Sequence, residues 1–152
     1  MSAERGSRRL LLVCLAAYAL FLAWTVFWPT GRIAGSVVLH ADDAALTLGV
    51  PARIIDPSRM EFALNAAMVA PLVVLAVLLW PRWGWERWTA YAFVASSAVE
   101  LTQGLFLPMR SAQYVDVVAN TCGAGLGAVL GRLLLAVRSR AVAEPAAEPA
   151  EE

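Results

Sequence analysis

The chain has 152 residues, 60% of them hydrophobic, and a mean hydropathy of +0.64, well above an ordinary soluble domain. Twelve basic residues, all Arg, balance twelve acids, so no net positive field exists to gather nucleic acid. The absence of Lys also removes the amine that Schiff-base chemistry needs.

A helix rises about 1.5 Å per residue and the hydrocarbon layer is about 30 Å thick, so a span needs about 20 mostly apolar residues. Residues 10–28, 62–80, 88–107 and 115–137 meet that test, with Trp28, Trp80 and Trp88 where interfacial aromatics are expected. None alternates as a barrel strand does, and backbone groups in lipid must be paired internally. The expected fold is therefore all-α: a polytopic membrane protein with four transmembrane helices and an irregular outer loop between the first and second. The organisation that follows is a cytoplasmic N-terminal segment at 1–9, a four-helix membrane domain at 10–137 and a disordered acidic cytoplasmic tail at 138–152.

Arg5, Arg8 and Arg9 precede the first span, Arg82 and Arg87 fill the turn after the second, and Arg138 and Arg140 follow the fourth. These positions fall on one side, which the excess of positive charge marks as cytoplasmic, with both termini inside. The basic start and the Ala17-Tyr18-Ala19 triplet resemble a secretory signal, but the apolar run continues unbroken to Phe27, which suits an uncleaved anchor. Cys14 and Cys122 lie at different depths and read as small buried hydrophobes, not as a disulfide or metal pair. The loop after the first span carries Pro29, Gly31, Gly35, Gly49, Pro51 and Pro57 and reads as irregular, with room for a short strand pair. Its single His40 is expected to face solvent, and no metal or cofactor is expected. The Ala-, Pro- and Glu-rich end of the tail predicts disorder.

Between the third and fourth spans, ELTQGLFLPMRSAQYVDVVAN breaks the apolar pattern. At about 100° per residue, Ser96, Glu100 and Gln103 share one face of the third span. On the fourth, Asp116, Asn120, Gly123 and Gly127 share another, with Gly131 beside it. The glycine spacing is a doubled small-xxx-small pattern, which lets helix backbones approach closely in lipid. A short connection makes the two spans an antiparallel hairpin, so Glu100, Gln103, Asp116 and Asn120 can face one another near the outer surface. Arg110 sits in the turn, within reach of either carboxylate, while Asn65 and Thr25 come to the same side from the second and first spans. A carboxylate at the depth of Glu100 costs about 3 kcal/mol on insertion scales unless paired, protonated or wetted. Two arrangements meet that demand. One is a structural clasp, with Glu100, Arg110 and Asp116 as ion pairs and Gln103 bonded to Asn120. The other is an outward polar cleft formed by Asn65, Glu100, Gln103, Arg110, Asp116 and Asn120.

The pattern of Glu100 and Gln103, then Arg110, then Asp116, Asn120, Thr121, Gly123, Ala124 and Gly127 resembles the VanZ-like membrane protein family. The likeness extends more loosely to Asn65 and Pro71 in the second span and to the Arg-led first span ending near Pro29. It departs at Leu72, where the family often has a glycine after the proline, and across the loop from 30 to 59. The resemblance implies a small polytopic protein of the bacterial cell membrane, from a family whose name-giving member is associated with low-level resistance to the glycopeptide antibiotic teicoplanin. It supplies no reaction.

Three function classes follow. The first is a non-enzymatic envelope protein whose cleft binds membrane lipid, a lipid-linked cell-wall intermediate or a lipophilic glycopeptide, with a second copy of the chain also a candidate partner. The second is a small proton-coupled multidrug-type transporter using Glu100, which Arg110 and the absence of a matching inner polar path disfavour. The third is an intramembrane enzyme with Glu100 and Asp116 as acid and base; the chain has neither an HExxH motif nor a nucleophile elbow.

Overall fold

The computed structural model describes residues 2–27, 40, 43–44, 46–51, 56–107 and 113–143. Four α-helices organise them: α1 Ser2–Phe27, α2 Pro57–Leu79, α3 Trp85–Phe106 and α4 Tyr114–Ala143. No strand occurs among the described residues, so the chain is all-α there. Three of the helices are long and apolar enough to cross a membrane, α1 over Arg5–Phe27, α2 over Pro57–Leu79 and α4 over Tyr114–Ala141. Helix α3 forms where a span is expected but is not among these three, because its polar side chains dilute an average taken over every face.

Local chemistry sets the helix ends. Asp56 caps α2, its Oδ1 accepting from the amides of Ser58 at 2.8 Å and Arg59 at 3.4 Å. Pro57 occupies the first helical position, where its missing N–H costs nothing and its fixed φ suits the helix. Pro81 follows the other end of α2 in the sequence and cannot continue it. Glu86 lies in the first turn of α3, where a negative charge complements the helix dipole.

Several boundaries differ from expectation. Helix α1 begins at Ser2, not at residue 10, since Arg5, Arg8 and Arg9 are good helix formers that propagate it beyond the apolar run. Helix α4 continues past Val137 to Ala143. Residues 138–143, expected as disordered tail, are therefore helical, and Arg140 in the last turn favourably meets the negative end of the dipole. Residues 144–152, Trp28, Arg110 and much of the loop lie outside the described residues. Within the loop, residues 43–44 and 46–47 are helical, where the sequence leaves room for a strand pair. The Gly49 amide donates to Leu46 at 3.0 Å, and Gly49 closes that turn at φ 83°, a left-handed conformation that glycine adopts without a steric penalty. His40 is exposed. Both cysteines are free and exposed, not buried. Cys122 stands one position off the glycine face of α4, and most of α1 around Cys14 is uncovered.

Helix α4 is the centre of the bundle, packed against both α2 and α3, while α1 packs on α2 and the facing surfaces of α2 and α3 barely meet. The glycine stripe explains the tight α2–α4 pairing. A Cβ added at Gly123 would strike the Ala66 carbonyl, one at Gly127 would strike that of Ala70, and one at Gly131 would come within 2.8 Å of Val77 Cβ. Both series advance toward the C-terminus, so the two helices run parallel, in register, with their backbones nearly touching. Small residues thus fill the interior. Ala119, Ala124 and Ala128 are fully buried, and Ala124 and Ala128 form, with Val73 and Val77, the core against which Trp88 and Leu135 pack. Large apolar side chains point outward instead, among them Leu20, Phe21 and Trp24 on α1 and Leu126, Val129 and Leu133 on α4. That distribution suits a hydrocarbon solvent, in which close backbone approach rather than burial of bulk drives association.

The turn between α2 and α3 gathers aromatic rings. Trp83 stacks at 5.0 Å from Trp88 and 5.6 Å from Tyr91, and Trp80 lies 6.3 Å from Trp88. Arg132 Nη2 of α4 donates to the Trp83 carbonyl at 3.2 Å, fastening this end of the bundle, hereafter the Trp83 end. The opposite end is hereafter the Asp56 end.

Candidate functional site

Helical periodicity predicts one polar face on α3, and that face turns inward. Ser96, Glu100 and Gln103 are 7%, 8% and 4% exposed and are the buried polar residues of the described chain. Ser96 meets its need locally, its hydroxyl donating to the Ala92 carbonyl at 2.7 Å. Glu100 and Gln103 reach other elements.

Four hydrogen bonds join the four helices into a closed ring toward the Asp56 end. Asn65 Nδ2 of α2 donates to Asp116 Oδ1 of α4 at 2.8 Å. The backbone amide of Gln113, just before α4, donates to Glu100 Oε2 of α3 at 2.7 Å. Gln103 Nε2 of α3 donates to the Val26 carbonyl of α1 at 2.9 Å. The Tyr18 hydroxyl of α1 donates to the Met68 carbonyl of α2 at 2.9 Å, closing the circuit. Each bond crosses between neighbouring helices where a polar group left unsatisfied in an apolar surrounding would be costly.

This wiring differs in two respects from the cross-hairpin bonding expected of the clasp. Gln103 does not bond Asn120; it reaches α1, since its position one turn from the end of α3 sets it beside the last turn of α1. Thr25 does not join the polar group either, because its hydroxyl returns to Leu22 of its own helix at 2.8 Å, a common resolution for Thr inside a helix. Glu100 accepts across the α3–α4 hairpin from the Gln113 amide, and Asp116 accepts from Asn65 of α2. Arg110 lies outside the described residues.

Inside the ring begins a cavity of about 340 Å³. Asn65, Glu100, Gln103, Asp116 and Asn120 line it at the Asp56 end, so five of the six residues singled out by sequence share one space. From there it runs between α2 and α3, where these helices do not pack. Met68, Leu72 and Ala76 form one wall; Val99, Ala95, Ala92 and Trp88 form the other. Leu22 and Val26 of α1 cover only the polar end. The lining is thus graded, with amides and carboxylates at one end and aliphatic and aromatic side chains along the rest. Sites for small amphipathic molecules have this character, mostly apolar with a few convergent polar groups, and the volume lies at the lower end of their range.

Trp88 contributes to the apolar end, and its indole N–H is buried without a hydrogen-bond acceptor. The ring is held there by stacking on Trp80 and Trp83. Among the described residues, no group of three or more His, Cys, Asp or Glu is gathered to hold a metal ion. The residues that sequence reasoning missed are the cavity walls, whose Leu, Ala and Met carry no chemical signature, and two backbone groups, Val26 C=O and Gln113 N–H, which no side-chain pattern advertises.

Against known proteins, the family model described as VanZ/LLP1 matches residues 15–135, a stretch that holds all four ring contacts and every residue lining the cavity. No curated protein and no solved structure matches the chain.

Proposed function

Because the chain belongs to the VanZ/LLP1 family, we propose that it is a multi-pass protein of the bacterial cytoplasmic membrane whose cavity binds an amphipathic envelope molecule. The candidate ligands are a membrane lipid, a lipid-linked cell-wall intermediate or a lipophilic glycopeptide. The observation that carries this reading is the graded lining of the cavity, polar at Glu100, Gln103, Asp116, Asn120 and Asn65 and apolar from Leu72 to Trp88. An amphipath is the solute that matches both halves.

The reading takes α3 as a fourth span. Its polar residues Ser96, Glu100 and Gln103 are buried while Phe93, Val94, Leu101 and Leu105 face outward, so the lipid would meet an apolar surface despite the modest average. Arg5, Arg8 and Arg9 at the start of α1, Arg82 and Arg87 around the turn after α2, and Arg138 and Arg140 at the close of α4 favour a cytoplasmic Trp83 end and cytoplasmic termini. The polar head of the cavity then lies in the outer leaflet, with Glu100 about 9 Å from the end of α3. The transporter and enzyme readings are less favoured, because Glu100 and Asp116 each accept from a protein donor and serve the helix ring.

The test is deletion of the gene and complementation, scoring sensitivity to wall-targeting and membrane-targeting antibiotics, teicoplanin among them. Glu100→Gln, Arg110→Ala and Asp116→Asn are expected to lose protection while still accumulating in the membrane. Protection by all three at the parental level would remove the cleft from the explanation.

A further inference from the structure

The helix ring uses some hydrogen-bonding groups of the cavity and leaves others unspent. Gln103 Nε2 donates to the Val26 carbonyl at 2.9 Å, and Asn65 Nδ2 donates to Asp116 Oδ1 at 2.8 Å. A backbone carbonyl and an ionised carboxylate only accept, so each amide must turn its nitrogen to the neighbouring helix. Its oxygen, with two lone pairs, is thereby held on the other side of a rigid plane. No donor among the described residues reaches either oxygen. Neither is sealed in protein, because Trp88 Nε1 is the buried side-chain polar atom without a partner among the described residues. Both residues line the cavity, and the two oxygens open there.

Asn120 adds an amide that the ring does not use. It is half-buried, stands one turn inside Asp116 on α4 and lines the same polar end, and no described residue hydrogen-bonds its side chain. A head group entering this end strips water from all three amides and must replace what water gave them. The two fixed oxygens call for donors, while Asn120 and the second N–H of each anchored amide call for an acceptor as well. A hydroxyl supplies both. A phosphodiester offers acceptors alone and would leave the oxygens of Asn65 and Gln103 unsatisfied. An ammonium offers no lone pair and carries a charge into a mostly apolar site, where Glu100 and Asp116 already accept from the protein.

We propose that the polar end of the cavity selects an uncharged, hydroxyl-bearing head group, which donates to the amide oxygens of Asn65 and Gln103 and bonds the Asn120 amide. The proposal rests on the amphipath reading above and names the head-group chemistry of that site. The hydroxyls of a sugar and those of glycerol meet the requirement equally.

The experiment uses the purified full-length chain in phosphatidylcholine nanodiscs, whose lipid has no hydrogen-bond donor, and four photoreactive amphiphiles that share one dodecyl chain bearing a diazirine. Their heads are glucose, glycerol, a methyl phosphate diester and an ammonium group. The glucoside or the glycerol ether is expected to label cavity-lining residues of α2 or α3 saturably, and which of them does so separates a sugar source from a glycerol source. Its unlabelled form should compete at least about tenfold better than the analogue with fluorine in place of each hydroxyl, close in size but unable to donate, because a site that hydrogen-bonds a hydroxyl rejects the analogue lacking it. Asn120→Ala, which breaks no bond of the helix ring, should weaken that labelling at least about threefold with an unchanged circular-dichroism spectrum and melting midpoint. Parental labelling of Asn120→Ala overturns the placement of the head. Equal competition by the fluorinated analogue, or stronger saturable labelling by the phosphate or ammonium probe, overturns the hydroxyl assignment and leaves the amphipath reading standing. Labelling that saturates for none of the four probes sinks both.

Discussion

Asn65 on α2 donates its side-chain N–H to Asp116 on α4 at 2.8 Å, across 51 residues of sequence. The contact sits at the top of the glycine stripe: Gly123 lies on Ala66, Gly127 on Ala70 and Gly131 on Val77. The same pair lines the polar end of the cavity, so one hydrogen bond sets the register of the tightest helix interface and shapes the head of the site. Interhelical hydrogen bonds in membrane proteins contribute about 0.6 kcal/mol on average and up to about 1.7. A double-mutant cycle of Asn65→Ala and Asp116→Ala, read by unfolding in mixed micelles, should return a coupling of about 1 kcal/mol. Strict additivity of the two losses would remove the pair from the account of register.

The glycines of α4 are not equivalent. Gly127→Ala would drive a methyl group into the Ala70 backbone, which has no rotamer to yield, so destabilisation of about 1–3 kcal/mol is expected. Gly125→Ala, whose nearest neighbour would be Thr89 Oγ1 at 3.9 Å, should be neutral or slightly stabilising through helix propensity. Thermal aggregation midpoints of the two variants in one detergent compare them directly, and equal midpoints would contradict the packing described.

Gln103 fastens the last turn of α1 to α3 through the Val26 carbonyl. In Gln103→Leu that tether disappears at nearly constant volume, while the packing of α1 on α2 and the Tyr18 contact remain. Spin labels at exposed Phe27 and Phe106 should then report a broader distance distribution than in the parent. An unchanged distribution means that packing alone holds α1.

The indole N–H of Trp88 has no acceptor, so Trp88→Phe removes ring area and a donor that was already unsatisfied. The expected loss is under about 1 kcal/mol, less than truncation of a well-packed, hydrogen-bonded Trp would cost. Trp88→Ala, which would also dismantle the stack with Trp80 and Trp83, should cost about 3–5 kcal/mol. Denaturation of both variants separates the two contributions, and a Phe variant as unstable as the Ala variant would point to a hydrogen bond.

Much of this protein was legible residue by residue. Four apolar stretches became four helices, because hydropathy and the 3.6-residue period are local properties that survive without knowledge of any neighbour. Ser96, Glu100 and Gln103 could be set on one buried face for the same reason, and the spacing of Gly123, Gly127 and Gly131 announced a close helix contact. Family membership was readable as well, from polar residues at fixed intervals on α3 and α4. Pairing was not. Which helix lies against the glycines depends on how four rods rotate and lean together, and α2, not α3, received them. Gln103 found a backbone carbonyl and Glu100 a backbone amide, groups that every residue carries and no sequence distinguishes. The cavity arose where α2 and α3 fail to meet, a gap defined by surfaces that α4 holds apart, and only coordinates in three dimensions contain it.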